Sequence, residues 1–228
     1  MLANILSLVH PEGWRFVGIF AGITLVFSLI SPFLTWVWFI LTGWCLYFFR
    51  DPKRYVPQRE GLVLSPADGK VVLIQEITPP EEFGMGTEPL TRISVFLNVF
   101  NVHVNRAPAS GNIRKMIYHP GKFLNAASDK ASQENERSSM VITMNDGQEI
   151  AVVQIAGLIA RRIVTEVTQG DPIRGGQRYG LIRFGSRCDV YLPKGVTPRV
   201  AVGQTVIAGE SILADLASDE AACQVEVI

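Results

Sequence analysis

The chain has 228 residues, with 21 Lys and Arg against 21 Asp and Glu, so its formal net charge is zero. That length suits one domain, or one domain with an appendage, and the charge balance removes the basic field on which a dedicated nucleic-acid binder depends. Apolar residues at 48% exclude a disordered chain, and three widely spaced cysteines, Cys45, Cys188 and Cys223, form neither a disulfide framework nor a CxxC zinc site.

The first element is apolar. From Phe16 to Phe49 there is no charged residue, a run of 34 positions. About 20 apolar residues span a bilayer core, so the run is long for one crossing and short for two. Ser31-Pro32 interrupts it, because proline breaks or kinks a helix. The pattern predicts two short helices over 14–31 and 33–49, making residues 1–50 an α-helical hairpin that sits in or across a membrane. Trp14, Trp36, Trp38, Trp44 and Tyr47 suit interface anchoring, and Arg50, Lys53, Arg54 and Arg59 follow at once. By the positive-inside tendency the rest of the chain then lies on the cytoplasmic side of a cell membrane. A cleaved signal peptide fits poorly, since the run is too long and lacks a basic start.

Residues 51–60 are polar, contain Pro52 and Pro57, and read as a linker. From Gly61 onward, Val- and Ile-rich runs at 62–64, 70–77, 92–104, 111–118, 140–144, 149–156 and 163–167 alternate with turn signals. Asn145-Asp146-Gly147 is the clearest hairpin loop. Only 123–136 reads as irregular or partly helical. The predicted fold class for 61–228 is therefore mainly β, an open barrel or several packed sheets. The stretch 200–216, VAVGQTVIAGESILADL, spaces short apolar runs by Gly203 and Gly209. Lipoyl and biotinyl carrier domains share this rhythm, so a lipoyl-like sandwich portion is expected at the C-terminus. The carrier lysine is missing: Ala217-Ser218-Asp219 follows. The Asp129-Lys130-Ala131 triplet sits in a polar segment without flanking strands.

Groups able to do chemistry are few. The histidines are His10, His103 and His119. GxSxG, HExxH and GxxxxGK[ST] are all missing from the sequence, so hydrolase elbow, zincin and P-loop readings lose their support, and no metal site is expected. Gly185-Ser186 stands out by context. A glycine-rich stretch at 170–176 and an apolar run at 179–184 precede it, and a strand pattern at 189–192 follows. Glycine there permits an unusual backbone conformation just before a hydroxyl nucleophile.

Five pieces occur in one order: Ser65-Pro66-Ala67-Asp68-Gly69, the strand-end His103, Tyr118-His119-Pro120-Gly121, Asn135-Glu136-Arg137, and Gly185-Ser186. In this the chain resembles the phosphatidylserine decarboxylases, in their short prokaryotic form made as a self-cleaving proenzyme. Two departures stand out. Phe184-Gly185-Ser186-Arg187 replaces the better-known Leu-Gly-Ser-Thr, and Phe100 stands where longer relatives carry a second histidine.

The resemblance implies that Asp68 orients His103 and that His103 takes the proton of Ser186. Ser186 then attacks the carbonyl of Gly185 to give an ester. Elimination and loss of ammonia leave a large chain, 1–185, and a small chain, 186–228, paired as a heterodimer. The small chain begins with a pyruvoyl cofactor derived from Ser186. A Schiff base from this group to phosphatidylserine in the bilayer leads to phosphatidylethanolamine, with no metal and no nucleic-acid partner. His119 is the candidate to replace the missing second histidine, and Arg137 the candidate contact for lipid phosphate or carboxylate. Two rival classes remain open on residues alone: a membrane-anchored lipoyl-like adaptor, and a membrane serine hydrolase using Ser186, His103 and Asp68. Both expect an intact chain.

Overall fold

The computed structural model describes residues 8–121, 135–157, 162–183, 186–218 and 220. Two helices come first, α1 (Pro11–Ser28) and α2 (Pro32–Phe48). Each opens on a proline, whose fixed φ suits the first helical position. Ser31, extended at φ −154°, separates them, as the Ser31-Pro32 break requires. Helix α1 begins three residues before the predicted 14–31. There His10 Nδ1 accepts from the Glu12 N–H at 3.3 Å, and Glu12 faces the positive end of the helix dipole.

The helices run antiparallel. Thr24 Oγ1 and Thr42 Oγ1 are 3.2 Å apart, Phe27 stacks on Trp38, and Phe16 stacks on Phe49. Each is roughly 26 Å long at 1.5 Å per residue. No helix among the described residues is long and apolar enough to cross a membrane. The far end of the hairpin nonetheless exposes Leu29, Ile30, Phe33 and Trp36, each more than 60% accessible.

The remainder is mainly β. The strands are β1 (Leu62–Leu64), β2 (Gly69–Ile77), β3 (Leu90–Leu97), β4 (Val104–Arg106), β5 (Gly111–His119), β6 (Arg137–Met144), β7 (Glu149–Ala156), β8 (Ile163–Thr165), β9 (Pro172–Ile173), β10 (Arg178–Ile182), β11 (Ser186–Tyr191), β12 (Thr205–Val206) and β13 (Ile212–Asp215). Eight of them form one antiparallel sheet in the order β12-β2-β3-β11-β7-β6-β5-β9. A three-stranded sheet, β4-β10-β8, and a pair, β1-β13, complete the fold. The large sheet curls: Val206 on its first strand and Ile173 on its last belong to one buried cluster, which also takes in Tyr179, Ile182 and Leu213 from the smaller sheets. A flat eight-stranded sheet would hold its edges about 34 Å apart.

Most predicted strands appear within a few residues of their predicted bounds, and the 145–147 hairpin is present, with Gly147 at φ 84°. One prediction is corrected. The run 92–104 is not one strand; it is β3 and β4 separated by a turn. Asn98 Oδ1 accepts from the Phe100 N–H at 2.8 Å, and Asn101 Oδ1 accepts from the Asn98 N–H at 2.9 Å. Asparagine side chains compete with ladder pairing in this way, and the apolar pattern hides it. The 123–136 segment and the Asp129-Lys130-Ala131 triplet lie outside the described residues, except for Asn135 and Glu136. In the 200–216 stretch both glycines have positive φ, 99° and 75°. Its two strands join different sheets, β12 to β2 and β13 to β1.

Candidate active site

Ser186 is the first residue of β11, paired in register with Leu97 of β3 on one side and Ala156 of β7 on the other. Side chains alternate along a strand, so Ser186, Cys188 and Val190 face the main core, which contains the last two. Ser186 is fully buried, and its Oγ has no hydrogen-bond partner among the described residues. An unpartnered buried hydroxyl costs about 1–3 kcal/mol; Ser94 and Ser139 share that state, and Ser186 differs from them in facing the main core.

His103 reaches the same place by a different route. The Ile182 N–H, four residues before Ser186, donates to the His103 carbonyl at 3.3 Å. Leu97, the register partner of Ser186, lies six residues before His103. β3 and β11 are neighbours in the large sheet, as β4 and β10 are in the three-stranded one. Two residues beyond each group the side chains touch, with Asn105 Nδ2 donating to Cys188 Sγ at 3.4 Å. Gln154 Nε2 in turn donates to Asn105 Oδ1 at 2.8 Å.

The imidazole is fully buried. Burial lowers its pKa from 6.5 to about 4, with a smaller push in the same direction from the Arg50 charge. Its Nδ1 lies 3.0 Å from the Asn101 carbonyl oxygen. A carbonyl only accepts, so Nδ1 carries the proton, and in the neutral ring Nε2 is the basic nitrogen. Cys188 is no rival nucleophile, because burial holds its thiol well above the ordinary range.

Asp68 sits in the 65–69 loop, which packs on the strand after His103. The Arg106 N–H donates to the Pro66 carbonyl at 2.9 Å, and Asn105 Nδ2 donates to it at 3.4 Å. The loop lies tight on β3: a Cβ on Gly69 would meet the Phe96 carbonyl oxygen at 2.1 Å, so only glycine fits. The Asp68 carboxylate accepts from Arg54 Nη2 at 2.8 and 2.9 Å and from the Ala208 N–H at 2.8 Å. It is committed to these groups and not to the imidazole.

His119 and Arg137 are not brought to Ser186. They are register partners of each other, and Arg137 also pairs with Ile155, which pairs with Arg187. Ile155 belongs to the cluster on the other face of the sheet. Alternation thus turns His119 and Arg137 away from the face that Ser186 uses. His119 Nε2 is 2.6 Å from Glu82, and three strand spacings, about 14 Å, separate its strand from β11. Gly185 lies outside the described residues.

The Asn135-Glu136 pair, named by sequence only as a piece of the ordered motifs, takes a place beside Ser186, and Arg54 and Phe48 join the site without any such signal. Asn135 Nδ2 donates to the Ala156 carbonyl at 2.7 Å, and the Ala156 N–H donates to the Glu136 carbonyl at 2.9 Å. Both peptide groups of the residue opposite Ser186 are thus held by the Asn135-Glu136 pair. Arg54 and Phe48, from the linker and the hairpin, touch Asp68 and His103. A basic residue in a linker and an aromatic in an apolar run carry no sequence signal of that kind.

The family model described as phosphatidylserine decarboxylase matches residues 41–214. Three curated relatives carry the name phosphatidylserine decarboxylase proenzyme. The one from Ruegeria pomeroyi is 60% identical over 95% of this chain and 99% of its own length. That from Cereibacter sphaeroides is 57% identical over 97% and 95%. That from Paramagnetospirillum magneticum is 55% identical over 96% and 91%.

Proposed function

The chain belongs to the phosphatidylserine decarboxylase family, and from that premise we propose that it is a carboxy-lyase converting phosphatidylserine to phosphatidylethanolamine, made as a proenzyme that cleaves itself between Gly185 and Ser186. The observation that carries the second part is the fully buried, unpartnered Ser186 hydroxyl at the mouth of β11. A hydroxyl so enclosed suits attack on the chain's own backbone better than attack on an external acyl group, as the hydrolase reading would require.

The maturation uses this chain's residues and one molecule of water. His103 Nε2 accepts the Ser186 hydroxyl proton while Ser186 Oγ bonds to the Gly185 carbonyl carbon. The Gly185–Ser186 C–N bond breaks and the amine of Ser186 takes up a proton, leaving an ester. Removal of the Ser186 α-proton expels the Gly185 carboxylate. Water then replaces the nitrogen, which leaves as ammonia, and the 186 position becomes a pyruvoyl group. Holding both reacting groups in one chain supplies about 7–11 kcal/mol of such a barrier. The pyruvoyl group serves as the electron sink for loss of carbon dioxide. Asp68, fixed by Arg54 and Ala208, acts through the 65–69 loop that it holds against the strand after His103.

The domain reading is retained as part of the proposal: a helical hairpin at 1–50, a linker at 51–60, and a β-rich catalytic unit at 61–228 with a lipoyl-like portion around its two C-terminal glycine turns. The large and small chains stay together, since β11 is paired on both sides by strands of the large chain. The hairpin inserts its exposed apolar end into the cell membrane, with the catalytic unit on the cytoplasmic side, where a diacyl substrate is reached. Co-sedimentation with phosphatidylserine vesicles tests this: Phe33→Asp releases the protein, and unchanged binding would exclude the hairpin as the anchor.

The decisive experiment is an intact-mass spectrum of the purified protein under denaturing conditions, followed by an assay of carbon dioxide release from phosphatidylserine. Two chains of 185 and 43 residues (228 minus 185), with the smaller one carrying a ketone in place of its amine, are expected. A single full-length chain that releases carbon dioxide would overturn the self-cleavage reading.

A further inference from the structure

The hairpin does more than project from the catalytic unit. Its base is packed on the segment that carries His103, just before β4. Phe48, the last residue of α2, is fully buried, and its ring centroid lies 4.3 Å from that of His103 with the planes 32° apart. Around the pair, Val17 from α1 and Cys45 and Phe49 from α2 and its cap share one cluster with Val102, Val104 and Leu181. Val102 and Val104 flank His103, and Leu181 precedes the residue whose N–H holds the His103 carbonyl.

Polar ties close the same seam. Arg183 Nη2 is 2.6 Å from Glu12 of α1 and lies three residues before Ser186. Arg50 Nη2 donates to the Phe100 carbonyl at 2.7 Å, in the turn that leads to His103. The Arg106 side chain, three residues after His103, donates to Asp51 Oδ1 at 2.8 Å. The chain on either side of His103 is therefore gripped by the segment that follows the hairpin.

We propose that Phe48 is a positioning residue for His103, and that the N-terminal hairpin is thereby a working part of the maturation site as well as a membrane anchor. The ring covers one face of the imidazole, keeps water from it, and fixes its plane together with the Nδ1 bond to Asn101. An aromatic ring at van der Waals distance fixes the plane of a second ring, and orientation of a base is worth large factors in rate. The Arg50 guanidinium is the charge that acts on the imidazole from the hairpin side, and Cys45, Val102, Val104 and Leu181 share the buried cluster of Phe48. Burial, to which the ring contributes, is the larger cause of the low imidazole pKa and the Arg50 charge a smaller one.

The inference rests on His103 acting as the base in self-cleavage, and one set of full-length variants separates the two. His103→Ala blocks cleavage if that reading holds; cleavage at the wild-type rate would overturn it. Phe48→Leu keeps apolar volume without a ring and is expected to slow cleavage at least tenfold by intact mass, whereas Phe48→Tyr stays within about threefold of wild type. Val17→Ala, which opens a cavity in the same cluster, serves as the matched control and leaves the rate within about threefold at a comparable loss of Tm. Phe48→Leu cleaving at the wild-type rate while His103→Ala is blocked would overturn the inference alone, as would Val17→Ala being as slow as Phe48→Leu. Should Phe48→Leu fold poorly, imidazole NMR in a Ser186→Ala background decides. With Phe48→Tyr the His103 midpoint stays near its low value, and with Phe48→Ile it rises toward 6.5; identical midpoints would reject the role of the ring.

Discussion

The two faces of β11 carry different chemistry at the same depth. On the inner face are Ser186 and Cys188, with Gln154 and Tyr179 nearby; Ser186 Oγ and Gln154 Oε1 have no hydrogen-bond partner among the described residues. On the outer face are Arg187 and Asp189, equally buried, with Arg187 Nε 2.8 Å from Asp189 Oδ1 and Arg92 Nη1 3.9 Å from Asp189 Oδ2. A buried charge without a counter-charge is too costly to keep, whereas a buried hydroxyl costs only about 1–3 kcal/mol. The outer face therefore pairs its charges with one another, although Ser94 Oγ and Ser139 Oγ on that face are unpartnered as well. The inner face carries no charged side chain on β11, and its Ser186 hydroxyl is uncommitted.

The sharpest way to break this comparison is Ser186→Ala. Removing the inner hydroxyl abolishes self-cleavage, read as one full-length mass, yet leaves Tm unchanged or raised because an unpaired polar group has gone. A large fall in Tm would mean that the hydroxyl is structural after all. On the outer face, Asp189→Ala leaves Arg92 and Arg187 facing each other without their carboxylate. Loss of one partner from a buried ion pair costs about 3–5 kcal/mol, measured by denaturant unfolding of the Ser186→Ala precursor. A cost below about 1 kcal/mol would show that the outer cluster is solvated.

The acid side of the pH profile gives the next effect. Burial lowers the folded-state pKa of His103 to about 4, against 6.5 in the unfolded chain. The unfolded chain therefore binds the extra proton between these values. The stability gained by keeping the ring neutral is complete above pH 6.5 and is lost as pH falls toward 4, by up to about 3 kcal/mol. His103→Asn in the Ser186→Ala precursor removes that part of the slope. Equal slopes would show that the imidazole titrates normally. The smallest effect belongs to His119→Ala, whose side chain lies on the outer face and pairs with Glu82. Self-cleavage is expected to change less than about twofold, and a tenfold loss would place His119 at the reaction.

Much of the site was legible because its signals are local. Gly185-Ser186, His103 and the Ser65–Gly69 loop stand out by residue type and order, and the structure places Ser186 on β11, His103 just before β4, and that loop against β4. The roles of Asp68, His119 and Arg137 were not legible in the same way. A one-residue change of parity sends a strand side chain to the opposite face, and the parity of Arg137 relative to Ser186 depends on how β6, β7 and β11 pair. Likewise, nothing near Asp68 in sequence reveals that its carboxylate is taken by Arg54, fourteen residues upstream, and by the Ala208 N–H, which lies 140 residues downstream.

By itself the sequence determined the features that a few adjacent residues decide: two apolar helices broken at Ser31-Pro32, a β-rich remainder, the turn at Asn145-Asp146-Gly147, and the family, read from ordered motifs. Proline geometry, turn chemistry and apolar periodicity act over one to ten residues, so a single strand of text carries them. The tertiary structure alone decided that the C-terminal strands go to different sheets, that Arg137 turns away from the face of Ser186, and that the end of the helical hairpin is seated on the candidate base. Those outcomes depend on long-range pairing, in which residues such as Phe48 and His103 meet only because strands far apart in the chain close around one core.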